Sequence, residues 1–145
     1  MTTPRISVVM PCFNAAAHLP RAIASLAAQT LTDWELVAID DGSSDDTFRA
    51  LTAAAARDPR IRVRRTPNGG PSVARNLGAL GMARAPLIAF LDADDLCAPA
   101  RLGTLVDRFA AAPGTAALYG RVSFFRTDPG RPDTVSAIRR GPLTA

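Results

Sequence analysis

Glu35-Leu36-Val37-Ala38-Ile39-Asp40-Asp41-Gly42-Ser43-Ser44-Asp45-Asp46 passes from an apolar run to an acidic turn to a helix start. Four apolar residues in a row, Leu36 to Ile39, fit a strand buried on both faces. Ser43 or Ser44 can cap the next helix, and Asp45 and Asp46 in its first turn favour the helix dipole. Phe48, Leu51 and Ala55 then mark the apolar face of that helix.

The same order of strand, polar turn and helix recurs on both sides. Ile6–Met10 is short and rich in β-branched residues, hence a strand. After Pro11-Cys12-Phe13-Asn14, the residues Leu19, Ile23 and Leu26 recur at helical spacing, with Pro20 suited to a first turn. Ile61–Arg65 alternates apolar residues with arginines, as a half-exposed strand does. Asn68-Gly69-Gly70-Pro71 opens a helix whose face is Val73, Leu77 and Leu80. Pro86–Leu91 is the most apolar strand, and Asp92-Ala93-Asp94-Asp95 follows it. Pro99 starts a helix with Leu102, Leu105, Val106 and Phe109 on one side, stopped by Pro113-Gly114. Ala116–Phe125 is expected as a fifth strand, bent at Gly120. The pattern predicts an α/β fold: a mostly parallel sheet flanked by helices, with right-handed crossovers. From about Arg126 the pattern dissolves into turn chemistry with no periodicity after it. The expected organisation is a body at 1–125 and a loosely held Arg-rich tail at 126–145.

At 145 residues and 21% charged, the chain has the size and composition of one globular domain. Its net charge of +4 is uneven. Residues 1–120 carry 12 Arg against 11 acidic residues, whereas 121–145 carry 5 Arg against 2 Asp. The tail arginines lack the interleaved aromatics of a nucleic-acid surface, so no nucleic-acid partner is expected. No apolar run approaches the roughly 20 residues of a membrane span, and no leader peptide is visible. The expected location is cytoplasmic, with peripheral contact at the inner face of the membrane open to the basic tail. Cys12 and Cys97 have no metal-ligand spacing and read as reduced, buried thiols.

In open α/β sheets, ligands bind outside the carboxyl ends of the strands. Each predicted strand ends in acids, amides or turn-formers, while the opposite rim is blander. Asp92-x-Asp94 can offer oxygens to Mg²⁺ or Mn²⁺, which complete their shells with water and phosphates; Asp95 reads equally as a turn residue. Gly69-Gly70 before a helix allows a phosphate to approach backbone amides, or is a turn alone. Rival phosphate chemistries drop out. Pro11 to Asn14 stands where a dinucleotide fold has Gly-x-Gly-x-x-Gly. The chain has no lysine, which removes P-loops, response-regulator receivers and aspartyl-phosphate phosphatases.

Several ordered stretches resemble family 2 glycosyltransferases: Ile6 to Asn14, Ala22 to Ser25, Gln29-Thr30, Asp33 to Leu36, Ile39 to Asp45, Gly69 to Asn76 and Phe90 to Asp95. They span about residues 5–125. The resemblance implies a GT-A fold, a Rossmann-like sheet that binds a nucleotide-diphospho-sugar at the strand ends, with uridine the expected nucleoside. It implies that Pro11 and Phe13 line the base pocket and that Asp41 accepts a hydrogen bond from the base. Arg75 is placed near the base or diphosphate, Asp92 at the ribose or the metal's waters, and Asp94 on a divalent cation, Mn or Mg. Asp40 is open between capping the turn at Gly42 and a ligand role. Asn14 and Asn76 read as braces, His18 as a solvated helix residue, Trp34 as packing at the opposite rim.

The family typically inverts the sugar and takes its general base from an acid well beyond the Asp-x-Asp. Here only Asp107, Asp128 and Asp133 follow Asp95, and Glu35 lies at the wrong rim. The base is therefore expected beyond Ala145, together with the part that holds the acceptor, a glycan or a lipid-linked sugar. The chain is expected to bind without transferring; a non-catalytic nucleotide-binding or interaction module of the same fold is the alternative. A sheet cut short at 116–125 should either form a homo-oligomer or fold its tail back over that edge.

Overall fold

The computed structural model describes residues 3–118, 122–126 and 134–139. Strand β1 (Ile6–Cys12) leads to helix α1 (Leu19–Ala27), β2 (Trp34–Asp41), α2 (Thr47–Arg57) and β3 (Ile61–Thr66). Helix α3 (Pro71–Asn76) runs without a break into a π-helical stretch, Leu77–Met82, before β4 (Leu87–Phe90) and α4 (Arg101–Ala111). Strands β5 (Val122–Arg126) and β6 (Thr134–Arg139) follow. The chain divides into two compact units, Met1–Ala111 and Ala112–Ala145. Among the described residues, no helix is long and apolar enough to cross a membrane.

The first unit holds a four-stranded sheet in the order β3-β2-β1-β4, parallel throughout. This is the parallel sheet that the strand–helix alternation predicts, in the Rossmann-like form that the family resemblance implies. Val8, Met10, Leu36 and Ala38 point to one face, where Leu19 and Leu26 of α1, Leu51 of α2 and Leu102 of α4 complete the core. Val9, Val37 and Ile39 point to the other, where Ala74 and Leu77 cover them. The split follows from crossover handedness: the chain steps β1 to β2 to β3 in one direction, then returns past β1 to lay down β4. The last crossover therefore places its helix on the opposite face. Neighbours of β1 on either side, β2 and β4, belong to opposite directions of travel, so a crevice opens at their carboxyl ends.

Gly78 sits where the π-helical stretch presses on the sheet. A Cβ built there would overlap Val9 Cγ1, and Val9 is fully buried. The π turn itself is closed by the Ala83 N–H donating to the Gly78 carbonyl at 2.9 Å. Edge strand β3 carries Arg62, Arg64 and Arg65, charges that discourage pairing with another chain.

The fifth strand departs from expectation. It starts at Val122 and lies outside the parallel sheet, pairing antiparallel with β6 from Val122–Arg139 to Arg126–Thr134. Strand β6 also falls where the sequence shows no period. The register explains why. Phe124 faces Ala137 and Phe125 faces Val135, so Ser136 is an extra residue and the alternation breaks there. Gly120, Asp128 and Asp133 and the arginines Arg121, Arg131 and Arg140 lie outside the described residues.

Candidate functional site

The carboxyl ends of β1, β2 and β4 and the start of α3 enclose a cavity of about 650 Å³. Pro11 and Phe13 come from the end of β1, Asp41 from β2, and Asp92 and Asp94 from the turn after β4. Arg75 reaches in from α3. All six residues that the sequence singles out thus share one cavity. Register brings them there, because Cys12 is level with Asp40 and Asp41 with Thr66.

The loops at this rim are tied by side chains to backbone amides. Asn14 takes a left-handed φ of 49°, a conformation that asparagine tolerates better than most residues. Its Oδ1 accepts from the Ser44 N–H at 2.9 Å and the Asp45 N–H at 3.4 Å, and its own N–H donates to Ser43 Oγ at 3.0 Å. The Ala15 N–H donates to Thr47 Oγ1 at 2.7 Å. These bonds fasten the loop after β1 to the loop after β2, which makes Asn14 the brace that its position suggested. Asn76 is not one: it is exposed and makes no side-chain hydrogen bond among the described residues. Phe13, carried on the braced loop, stays 54% exposed at the cavity mouth.

The two acids ending β2 have different tasks. Asp40 is fully buried and does not reach the cavity. Its Oδ1 accepts from the Ser43 N–H at 3.2 Å, closing the turn at Gly42, and its Oδ2 lies 3.1 Å from Arg65 Nε. Asp41 lines the cavity, and its two carboxylate oxygens accept from the Gly69 and Gly70 N–H groups at 2.8 Å each. This overturns one reading of Gly69-Gly70. Those amides hold the Asp41 carboxylate and are not held out to a phosphate. Gly42, at φ +74°, permits the approach: a Cβ there would come within 2.8 Å of the Asn68 backbone nitrogen.

Across the cavity, Arg75 Nη2 donates to Asp92 Oδ1 at 2.6 Å. Asp94 and Asp95 are exposed beside them, and the Asp95 N–H closes a turn onto the Asp92 carbonyl at 3.0 Å. Partial desolvation of its carboxyl, followed by the charges of Asp94 and Asp92, raises the pKa of Asp95 above the ordinary carboxylate value. Gln29, buried just after α1, ties down the segment that follows this turn. Its Nε2 donates to the Cys97 and Ala98 carbonyls at 3.2 and 2.8 Å, and its Oε1 accepts from the Leu102 N–H at 3.1 Å.

The donor set suits a hard divalent ion. Asp94 is free to ligate, Asp92 has one oxygen outside its bond to Arg75, and no third side-chain ligand converges among the described residues. Mg²⁺ and its like bind through one or two carboxylates and leave the remaining positions to water and phosphate.

Residues 7–140 match the model of the glycosyl transferase family 2. The chain belongs to glycosyl transferase family 2. Over 103 residues it is 40% identical to a glycosyltransferase of Haemophilus influenzae, a match that covers 70% of this chain and 41% of that protein. Among solved structures it is similar to Staphylococcus aureus TarS in complex with UDP, at a TM-score of 0.67 and 26% identity, covering 74% of this chain and 32% of that one. It is also similar to the mannosyltransferase PcManGT of Pyrobaculum calidifontis in complex with GDP-Man and Mn²⁺, at a TM-score of 0.66 and 28% identity, covering 85% and 36%. The chain spans less than half the length of each of these proteins.

This family 2 cavity is also lined by residues that the sequence did not assign to it, Asn68, His18 and Cys12 among them. Asn68 donates from Nδ2 to the Asp41 carbonyl at 3.0 Å, and its place after β3 was the available signal. His18, read as a solvated helix residue, lines the wall. Cys12 lines it too but is 1% exposed, and burial, with the charges of Asp40 and Asp92, pushes its thiol up to about 12.

The opposite rim is structural. Glu35 is buried there and accepts from Ser7 Oγ and the Arg84 N–H, each at 2.7 Å, and from Arg84 Nε at 2.9 Å. Burial alone would raise its pKa. The bonds from Ser7 and Arg84 outweigh that and hold it below the usual carboxylate value. Trp34 packs at this rim as expected, with the Arg60 guanidinium 3.9 Å over its ring.

Proposed function

We propose that the cavity binds a nucleotide-diphospho-sugar, with uridine as the nucleoside and a divalent cation at Asp94, for inverting transfer to an acceptor hydroxyl. One observation carries this reading. An exposed aromatic ring and a pocket carboxylate, Phe13 and Asp41, share a cavity with the acidic pair Asp92 and Asp94 and with Arg75. The first pair suits a base, the second group a diphosphate and its ion. The UDP and the GDP-Man with Mn²⁺ bound by the two similar structures support the same assignment.

Each residue has a definable task. Phe13 offers a face for stacking the base. Each Asp41 oxygen keeps a second acceptor site beyond the glycine amide it already holds, so one can receive an N–H of the base. Arg75 shares its guanidinium between Asp92 and a phosphate oxygen, as its five donors allow. When bound, a divalent cation supplies charge stabilisation to the departing diphosphate. Asp107, exposed on α4, is not part of the cavity lining. In this proposal the 145-residue chain binds the nucleotide-sugar without passing the sugar to an acceptor.

Thermal unfolding tests the binding. UDP at about 100 times its dissociation constant adds roughly 2.7 kcal/mol of stability, a rise of a few degrees in a domain of this size. The rise should require Mn²⁺ or Mg²⁺, and Asp94→Ala should remove that requirement's benefit while leaving the apo melting temperature in place. An equal rise in excess chelator would overturn the metal assignment. No rise with any nucleoside diphosphate would overturn the binding itself.

A further inference from the structure

His18 lines the cavity with an ionisable side chain that neither the core nor the loop braces use. Its backbone is fixed at the start of α1. The His18 N–H donates to the Ala15 carbonyl at 2.9 Å, and its own carbonyl accepts from the Arg21 and Ala22 N–H groups at 3.1 and 3.2 Å. Leu19, the next residue, is fully buried, so the helix start cannot swing away from the sheet. The imidazole is exposed, lines the cavity and has no hydrogen bond or ion pair among the described residues.

Topology sets where it stands. Helix α1 packs on one face of the sheet with Val8 and Met10, and α3 packs on the other with Val9 and Val37. The cavity spans the strand ends between them. His18 at the start of α1 and Arg75 on α3 therefore stand on opposite sides of the strand ends, and Arg75 pairs with Asp92 on its own side.

Charge shows what the imidazole is for. A diphosphate entering here meets three carboxylates of the lining, Asp41, Asp92 and Asp94, and Arg75, which already pairs with Asp92. The Gly69 and Gly70 amides are taken by Asp41, and Pro71 has no N–H to give. His18 is the only other side chain of the described lining that can carry positive charge. We propose that His18 binds the nucleotide directly, its imidazole N–H donating a hydrogen bond to a non-bridging diphosphate oxygen from the side of the strand ends opposite Arg75. This rests on the reading of the cavity as a nucleotide-sugar site.

The test is titration calorimetry of the full chain with UDP and, separately, with uridine, in the presence of Mn²⁺. The proteins are wild type, His18→Ala and His18→Gln. Loss of one charge-assisted hydrogen bond at a partly open site should weaken UDP about tenfold in His18→Ala. Uridine, which lacks phosphate, should stay within about twofold. His18→Gln, whose amide can donate, should recover part of the UDP affinity. Unchanged UDP affinity in His18→Ala, equal weakening of UDP and uridine, or no recovery in His18→Gln would each overturn the proposal while leaving the nucleotide site standing. A wild-type chain that binds neither ligand would overturn both.

Discussion

Asp40 and Asp41 are adjacent in sequence and unlike in environment. Asp40 is sealed under the turn at Gly42 with Arg65 at its open side; Asp41 faces the cavity with a glycine amide on each oxygen. Replacing Asp41 by Asn keeps one acceptor and turns an NH₂ group toward the other amide. That leaves a part-buried N–H unpaired, at a cost of about 1–3 kcal/mol in stability. It also disturbs the base side, so uridine should weaken about tenfold. Asp40→Asn keeps the acceptor for Ser43 and should leave uridine affinity within about twofold, whatever it costs the fold. Parallel melts and uridine titrations of the two variants decide the matter. Uridine affinity lost in Asp40→Asn and kept in Asp41→Asn would reverse the assignment.

Among the elements, the π-helical stretch makes the sharpest demand on sequence. Gly78→Ala would drive a methyl group into Val9, a β-branched residue held rigid between two strands. Overpacking of this kind typically costs about 1–3 kcal/mol. Val9→Ala removes the obstructing methyls, so the double variant should lose less stability than the sum of the two single variants. Strict additivity in denaturant unfolding would show that the contact is not what excludes a side chain at 78. This element also marks a limit of reading the chain by pattern. Val73, Leu77 and Leu80 recur at helical spacing, yet Leu80 is 86% exposed, because the wider π turn rotates it off the sheet face. Strands β1, β2 and β4 were legible as apolar runs and β3 as an alternation of apolar residues with arginines, each followed by turn-formers. The strand-end residues of the cavity were legible because parallel strands put all their carboxyl ends on one rim; Arg75, on α3, came from the family resemblance. Bonds between loops were not: nothing in Asp41 or in Gly69-Gly70 alone says that they meet 28 residues apart. Strand β6 was hidden by the extra residue at Ser136; β5 was expected, but its apolar run reads the same in either sheet.

At the scale of the molecule, the first unit contains the whole parallel sheet, both core clusters and every residue of the cavity lining. A polypeptide of residues 1–111 should therefore fold cooperatively and bind UDP within about threefold of the full chain, as circular dichroism melts and titration would show. A fragment that is unfolded, or folded without affinity, would mean that residues 112–145 complete the core or the site. Both cysteines of this unit are buried, and Cys12 lies in the cavity wall with its thiol proton directed at the Met10 carbonyl, 3.5 Å from the sulfur. A thiol held near 12 is almost wholly protonated in neutral solution, and only the thiolate is a good nucleophile. An electrophilic inhibitor shaped for this cavity would find a sulfur within view and no reaction to perform on it.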